Sequence, residues 1–167
     1  KPSFASARWG AQRALFHRAL ANEGFVIVSF DTRGTPAPKG AEWRKVVYGR
    51  IGVISSKEQA AAIRAFAASR SWVDASRIGI WGWSGGGSST LNAMFRYPDV
   101  YKVGVSVASV PDERLYDTIY QERYMGLPSE NAEGYKDGSP ISFAEGLKGK
   151  LLFIHGTFAN AASAYHS

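Results

Sequence analysis

The chain has 167 residues, enough for one domain with a real core, and its 45% hydrophobic and 13% aromatic content excludes a disordered segment. It has no cysteine, so disulfides and thiolate metal sites are excluded, and no apolar run approaches the roughly 18 residues of a membrane span. The net charge of +6 is uneven, with 14 basic and 6 acidic residues over 1–99 against 6 and 8 over 100–167, yet no arginine-rich run forms. Scattered charge of this kind reads as a solvated basic face or one side of an interface, not as a nucleic-acid surface. The start at Lys1-Pro2 carries no signal-peptide pattern and reads as a mature or cut product.

In chain order, residues 10–22 (GAQRALFHRALAN) space Ala14, Leu15, Ala19 and Leu20 about a turn apart, which predicts an amphipathic helix stopped by Asn22 and Gly24. The run FVIVSF at 25–30 is continuously apolar and β-branched, as a strand buried on both faces would be. Asp31-Thr32-Arg33-Gly34 and the following TPAPKG read as turn and loop. Glu58 to Ser69 is alanine-rich helix, with Ala61, Ile63, Ala65 and Phe66 as the expected buried stripe. Residues 78–83 predict a second buried strand, and a helix follows from about Gly86 to Tyr97, where Pro98 ends it. VGVSVASV at 103–110 predicts a third strand and LLFIH at 151–155 a fourth, with polar and aromatic helix and loop between them. Strands alternating with helices predict an α/β fold, a mostly parallel sheet with helices on both faces. No internal repeat or low-complexity linker interrupts the single domain expected over residues 1–167.

One stretch within this pattern carries chemistry. Gly82-Trp83-Ser84-Gly85-Gly86 fits G-x-S-x-G between a predicted strand and a predicted helix. Such a turn holds the serine at strained backbone angles and points its hydroxyl outward, while glycines on either side let neighbouring backbone approach. The helix that starts at once aims its free N–H groups at the site, and the Gly85 amide is placed to donate to an oxyanion. A serine that only caps the helix, or a phosphate-binding loop, fits the same glycines; but no Gly-Lys-Ser/Thr follows, and the G-x-G-x-x-G spacing is not met. Tyr116 and Tyr120 lie four apart and would share a helix face, as a core pair or as the wall of an apolar slot, and Tyr124 continues the stripe.

IWGWSGGG, SFDTRG, WVDASRIGI, YDTIYQERYMGLP and LLFIHGT stand in the order and spacing of the catalytic domain of dipeptidyl peptidase IV-type serine peptidases, and from about Gly24 to Thr157 the chain resembles that branch of the prolyl oligopeptidase family. The resemblance implies an α/β-hydrolase fold, here a partial peptidase catalytic domain truncated at both ends. It implies Ser84 as nucleophile and the Gly85 amide in the oxyanion hole, at a position where the family usually has tyrosine. It implies that Tyr116 and Tyr120, with Val110 nearby, line a pocket for a proline ring. Peptides would be the substrates, cut to release N-terminal dipeptides whose second residue is proline or alanine. No cofactor or metal is implied, and the compartment suggested is periplasmic or secreted.

A serine nucleophile needs a base, and a triad in this fold runs Ser, Asp, His along the chain. Where the family has an acidic pair after HGT, this sequence has Ala159 and Asn160, and no later histidine matches the family's base. His17, His155 and His166 are expected on an early helix, at a strand end and near the terminus. In this fold the strand ahead of residues 10–22 lies between the FVIVSF strand and the serine strand, and none is present. The expectation is therefore an internal piece of a larger peptidase, completed by further segments of the same protein or by a homo-oligomer. A carboxylesterase on the same fold, and a catalytically inactive fragment, are the alternatives.

Overall fold

In a computed structural model of the chain, the structure describes residues 13–156, with side chains from Leu15 onward. The chain divides into two compact units, Lys1–Val46 and Val47–Ser167.

In the first unit, helix α1 spans Arg13–Asn22 and helix α2 spans Gly40–Lys45. Gly24 ends α1 at φ +85, a left-handed turn that glycine enters without a Cβ penalty, and the Phe25 amide closes back on Leu20 O at 3.1 Å. The expected strand at 25–30 joins no ladder among the described residues. Phe25 is 61% and Val26 46% exposed, so an apolar run alone did not make a strand; a ladder needs a partner chain beside it as well. Gly34 N–H donates to Trp43 O at 2.8 Å, tying the predicted turn to α2.

The second unit is a three-stranded parallel sheet of β1 (Gly79–Trp83), β2 (Val103–Val107) and β3 (Lys150–Ile154), in that spatial order. Helix α3 (Val53–Ala68) precedes β1, and α4 (Gly85–Arg96) joins β1 to β2. Between β2 and β3 lie a 3-10 turn at Glu113–Leu115, helices α5 (Thr118–Met125) and α6 (Ala132–Gly138), and a 3-10 segment at Pro140–Gly146. The register sets Ile80 beside Gly104 and Leu151, and Trp81 beside Val105 and Leu152. Because side chains alternate along a strand, these two rows belong to opposite faces.

On the first face Met94 and Ala93 of α4 and Ala60 of α3 pack with Val100 and Tyr101 into the core, joined by Ile63, Ile78, Ile80 and Leu151. Gly104 is required there, because a Cβ would come within 2.7 Å of the Met94 side chain. On the opposite face Trp81, Trp83, Val103, Leu152 and Ile154 are exposed, so β1 is half open rather than the fully buried strand its sequence predicts. Helix α3 begins five residues earlier than expected and turns Ser56, Ala60 and Ala67 inward. Ile63 and Phe66 are half-buried, but Ala61 and Ala65 are exposed, because an alanine-rich helix offers apolar residues on every side and the packing chooses among them. β2 stops at Val107, short of the expected Val110, where Ala108 takes φ +47 and bends the chain off the sheet.

Candidate functional site

Ser84 is the single residue between β1 and α4, at φ 56 and ψ −121. A non-glycine residue in this region is strained by about 1–3 kcal/mol and persists only where its surroundings hold it. The hold is visible. Ser84 N–H donates to Val107 O at 2.8 Å, and Ser84 O accepts from Ser88 N–H at 3.0 Å. A Cβ on Gly82 would collide with the Gly86 carbonyl, and one on Gly87 would lie 2.8 Å from Val107 O. Both glycines are thus demanded by close backbone approach, whereas nothing lies within 4 Å of a Cβ placed on Gly85 or Gly86. Ser84 is exposed and its side chain makes no cap hydrogen bond to α4, which separates it from an ordinary capping serine. The Gly85 amide opens α4, where first-turn N–H groups have no intrahelical acceptor.

The segment after β2 is fastened to this turn. Ser106 Oγ, fully buried, donates to Gly87 O at 3.1 Å. Ser88 Oγ donates to Val110 O and accepts from Val110 N–H, each at 2.9 Å. Beyond Val110 the chain enters a buried polar junction. Ser139 Oγ accepts from Glu113 N–H at 2.9 Å and donates to Tyr135 O at 2.7 Å. Asp112 caps the 3-10 turn and holds Arg114 through both carboxylate oxygens, which keeps its carboxyl below the ordinary carboxylate range.

Glu113 is only 7% exposed, and burial pushes its carboxyl up to about 8, with Asp112 adding repulsion. Gln121 and Arg96 offset part of that shift, yet among the described residues neither Glu113 Oε2 nor Gln121 Nε2 has a hydrogen-bond partner. The carboxyl lies against Gly138 at the end of α6 and near Gly52 at the start of α3.

Tyr116 and Tyr120 meet edge to face, with centroids 5.7 Å apart at 84°. Asp117 between them caps α5 by accepting from Tyr120 N–H at 2.8 Å. The stripe runs on through Tyr124, 5.0 Å from Tyr120, to Tyr48 at 6.2 Å from Tyr124. Tyr120 keeps 46% of its surface open and Tyr116 is half-buried, so the pair forms an accessible wall, not a sealed core contact. A separate cleft of about 480 Å³, lined by Arg114, Ser129, Glu133, Lys136, Ser139 and Ser142 among others, contains none of the sequence-predicted site residues.

Of the histidines, His17 is half-buried on α1 beside Phe16, and His155 follows β3, stacked on Phe153. His155 Nδ1 lies 3.1 Å from Gly156 O, and its Nε2 is buried without a hydrogen-bond partner among the described residues. Among the described residues, the His155 ring makes no hydrogen bond to Ser84 Oγ. Ala159, Asn160 and His166 lie outside the described residues. Sequence reasoning missed Ser88, Glu113 and Ser139. Their one signal was position, since Ser88 falls in the first turn after the serine and Glu113 between Val110 and Tyr116. No helix among the described residues is long and apolar enough to cross a membrane.

Comparison with known proteins adds a second line. A family model described as the prolyl oligopeptidase family matches residues 14–160. The chain is 40% identical over 137 residues to a protein named probable dipeptidyl-aminopeptidase B from Metarhizium robertsii, covering 80% of this chain and 15% of that one. It is 37% identical over 142 residues to venom dipeptidyl peptidase 4 of Apis mellifera, covering 83% of this chain and 18% of the other. Among solved structures it is similar to the dipeptidyl peptidase 4 of Porphyromonas gingivalis, with a TM-score of 0.72 and 48% identity over 76% of this chain and 18% of that one. The chain therefore spans less than a fifth of the length of these relatives.

Proposed function

Because this chain belongs to the prolyl oligopeptidase family, we propose that Ser84 is the nucleophile of a serine peptidase that removes N-terminal dipeptides with proline or alanine in second place. The observation that carries the reading is the conformation of Ser84, held at φ 56, exposed and free of any cap bond. Strain at that residue keeps the hydroxyl clear of its own helix, where a peptide carbonyl can reach it.

In the reaction, Ser84 Oγ attacks the carbonyl after the second residue and the carbonyl oxygen takes the negative charge. The Gly85 amide, at the positive end of α4, donates to that oxygen. The base takes the Ser84 proton during attack and returns it to the amine of the shortened peptide. That amine leaves as the adduct collapses to an acyl group on Ser84, which water then removes. Tyr116 and Tyr120, with Val110 beyond Ser88, wall the slot for the proline or alanine side chain. An apolar ring lying against aromatic side chains needs no charge in the pocket, which suits proline. The base and its orienting acid come from outside residues 13–156, from further segments of the protein or from a second copy. The relatives named above, called dipeptidyl peptidases and a dipeptidyl-aminopeptidase, support the same substrate class.

The test is covalent labelling of the intact protein by a fluorophosphonate, followed by hydrolysis of Xaa-Pro chromogenic dipeptides. Labelling at Ser84 with Xaa-Pro cleavage, both abolished by Ser84→Ala, is the expected result. Hydrolysis of short p-nitrophenyl esters without Xaa-Pro cleavage would make the protein a carboxylesterase. Absence of labelling would make it inactive, and activity surviving Ser84→Ala would mean the turn has another purpose.

A further inference from the structure

Ser88 stands one helical turn beyond Ser84, and its hydroxyl grips both backbone polar groups of Val110 at 2.9 Å. A hydroxyl has one proton to give, and the 3.5 Å alternative to Ser84 O is far weaker than the bond to Val110 O. Such double engagement by one side chain fixes both the position and the rotation of the peptide unit it holds. Val110 has left β2, so no ladder bond holds it. Its neighbours are pinned from the other side, since Pro111 O accepts from Ile141 N–H at 3.1 Å and Glu113 N–H donates to Ser139. Ser88 is thus the side-chain tie that fastens the start of this segment to the helix that follows the reacting residue Ser84.

We infer that Ser88 is a positioning residue, setting the distance between Ser84 and the pocket wall formed by Val110, Tyr116 and Tyr120. Resting on the function proposed above, the inference concerns specificity and not bond-breaking. If Ser88 loses its hydroxyl, two Val110 backbone groups lose their partner, and the wall can drift relative to Ser84. Substrates whose second residue must fill the slot then suffer more than reagents that only meet Ser84.

The experiment compares Ser88→Ala with wild type in the intact protein through three readouts: kcat and KM on an Xaa-Pro chromogenic dipeptide, the same on Xaa-Ala, and the rate of fluorophosphonate labelling at Ser84. Loss of these bonds should lower kcat/KM for Xaa-Pro by about tenfold more than the labelling rate, mainly by raising KM, with a smaller loss for Xaa-Ala. Ser88→Thr, which keeps the hydroxyl, should restore the Xaa-Pro value. If Ser88→Ala does not fold, Ser88→Cys, a weaker donor of similar size, is read in the same way. Equal losses in all three readouts, no loss, or no restoration by threonine would overturn the role of Ser88 alone. A wild-type protein that neither labels nor cleaves Xaa-Pro would overturn the functional reading, and this inference with it.

Discussion

The Ser84 amide donates to the Val107 carbonyl at 2.8 Å, so the strained residue ahead of α4 is bonded to the last residue of the neighbouring strand. One hydrogen bond therefore joins the proposed nucleophile to the strand that leads into the pocket segment. The strain at Ser84 is maintained by this contact together with the close packing at Gly82 and Gly87.

Gly82→Ala should break that arrangement, because the new Cβ meets the Gly86 carbonyl, a backbone atom with nowhere to go. Overpacking of this kind costs roughly 1–3 kcal/mol. A urea melt should show that loss, and fluorophosphonate labelling of Ser84 should fall with it. Gly85→Ala meets open space, so its melt should match wild type within about 0.5 kcal/mol. Equal damage from the two substitutions would contradict the close approach of Gly82 to Gly86.

Glu113 predicts a pH dependence of stability. Its folded carboxyl stays protonated up to about 8, against an ordinary 4.5 when unfolded. The folded state therefore holds the extra proton between those values, and stability falls as pH rises across that window, by about 1.4 kcal/mol per pH unit at most. Asp112 acts in the opposite sense, its lowered carboxyl contributing stability that is lost only in acid, as pH falls through its folded value. Glu113→Gln should flatten the slope between pH 5 and 8 in urea midpoints, whereas an unchanged slope would place the proton elsewhere.

Tyr120 tests the pocket wall. Tyr120→Phe keeps the edge contact with Tyr116 and the tilted contact with Tyr124, so KM for Xaa-Pro should change by less than about threefold. Tyr120→Ala removes the ring, and with it an aromatic contact of about 0.5–1.5 kcal/mol beyond its apolar area. KM for Xaa-Pro should then rise by about tenfold or more while labelling of Ser84 persists. A similar KM for both variants would remove Tyr120 from the substrate site.

Much of this was legible in the order of residues. The strands at 79–83, 103–107 and 150–154, the helix after Ser84 and the sharp turn between them follow from short apolar runs and a glycine cluster, which act over a few neighbouring residues. Asn22 and Gly24 stopped α1 for the same local reason. Tyr116 lies in extended backbone ahead of α5, so it meets Tyr120 across the start of that helix and not along the shared helix face that the spacing predicts.

What the order of residues could not decide was every feature that needs a distant partner. FVIVSF has the composition of a strand, but pairing is a property of two segments, and only the folded chain shows that this one joins no ladder among the described residues. Ala60, not Ala61, is buried because α4 lies on that side of α3. Ser88 and Glu113 look like surface residues in a list of letters. Ser88 gains its role from Val110, 22 residues away, and Glu113 gains its raised proton affinity from burial among segments brought in from other helices. Hydrogen-bond partners and desolvation are set by where the chain returns to itself, and tertiary structure alone supplies that.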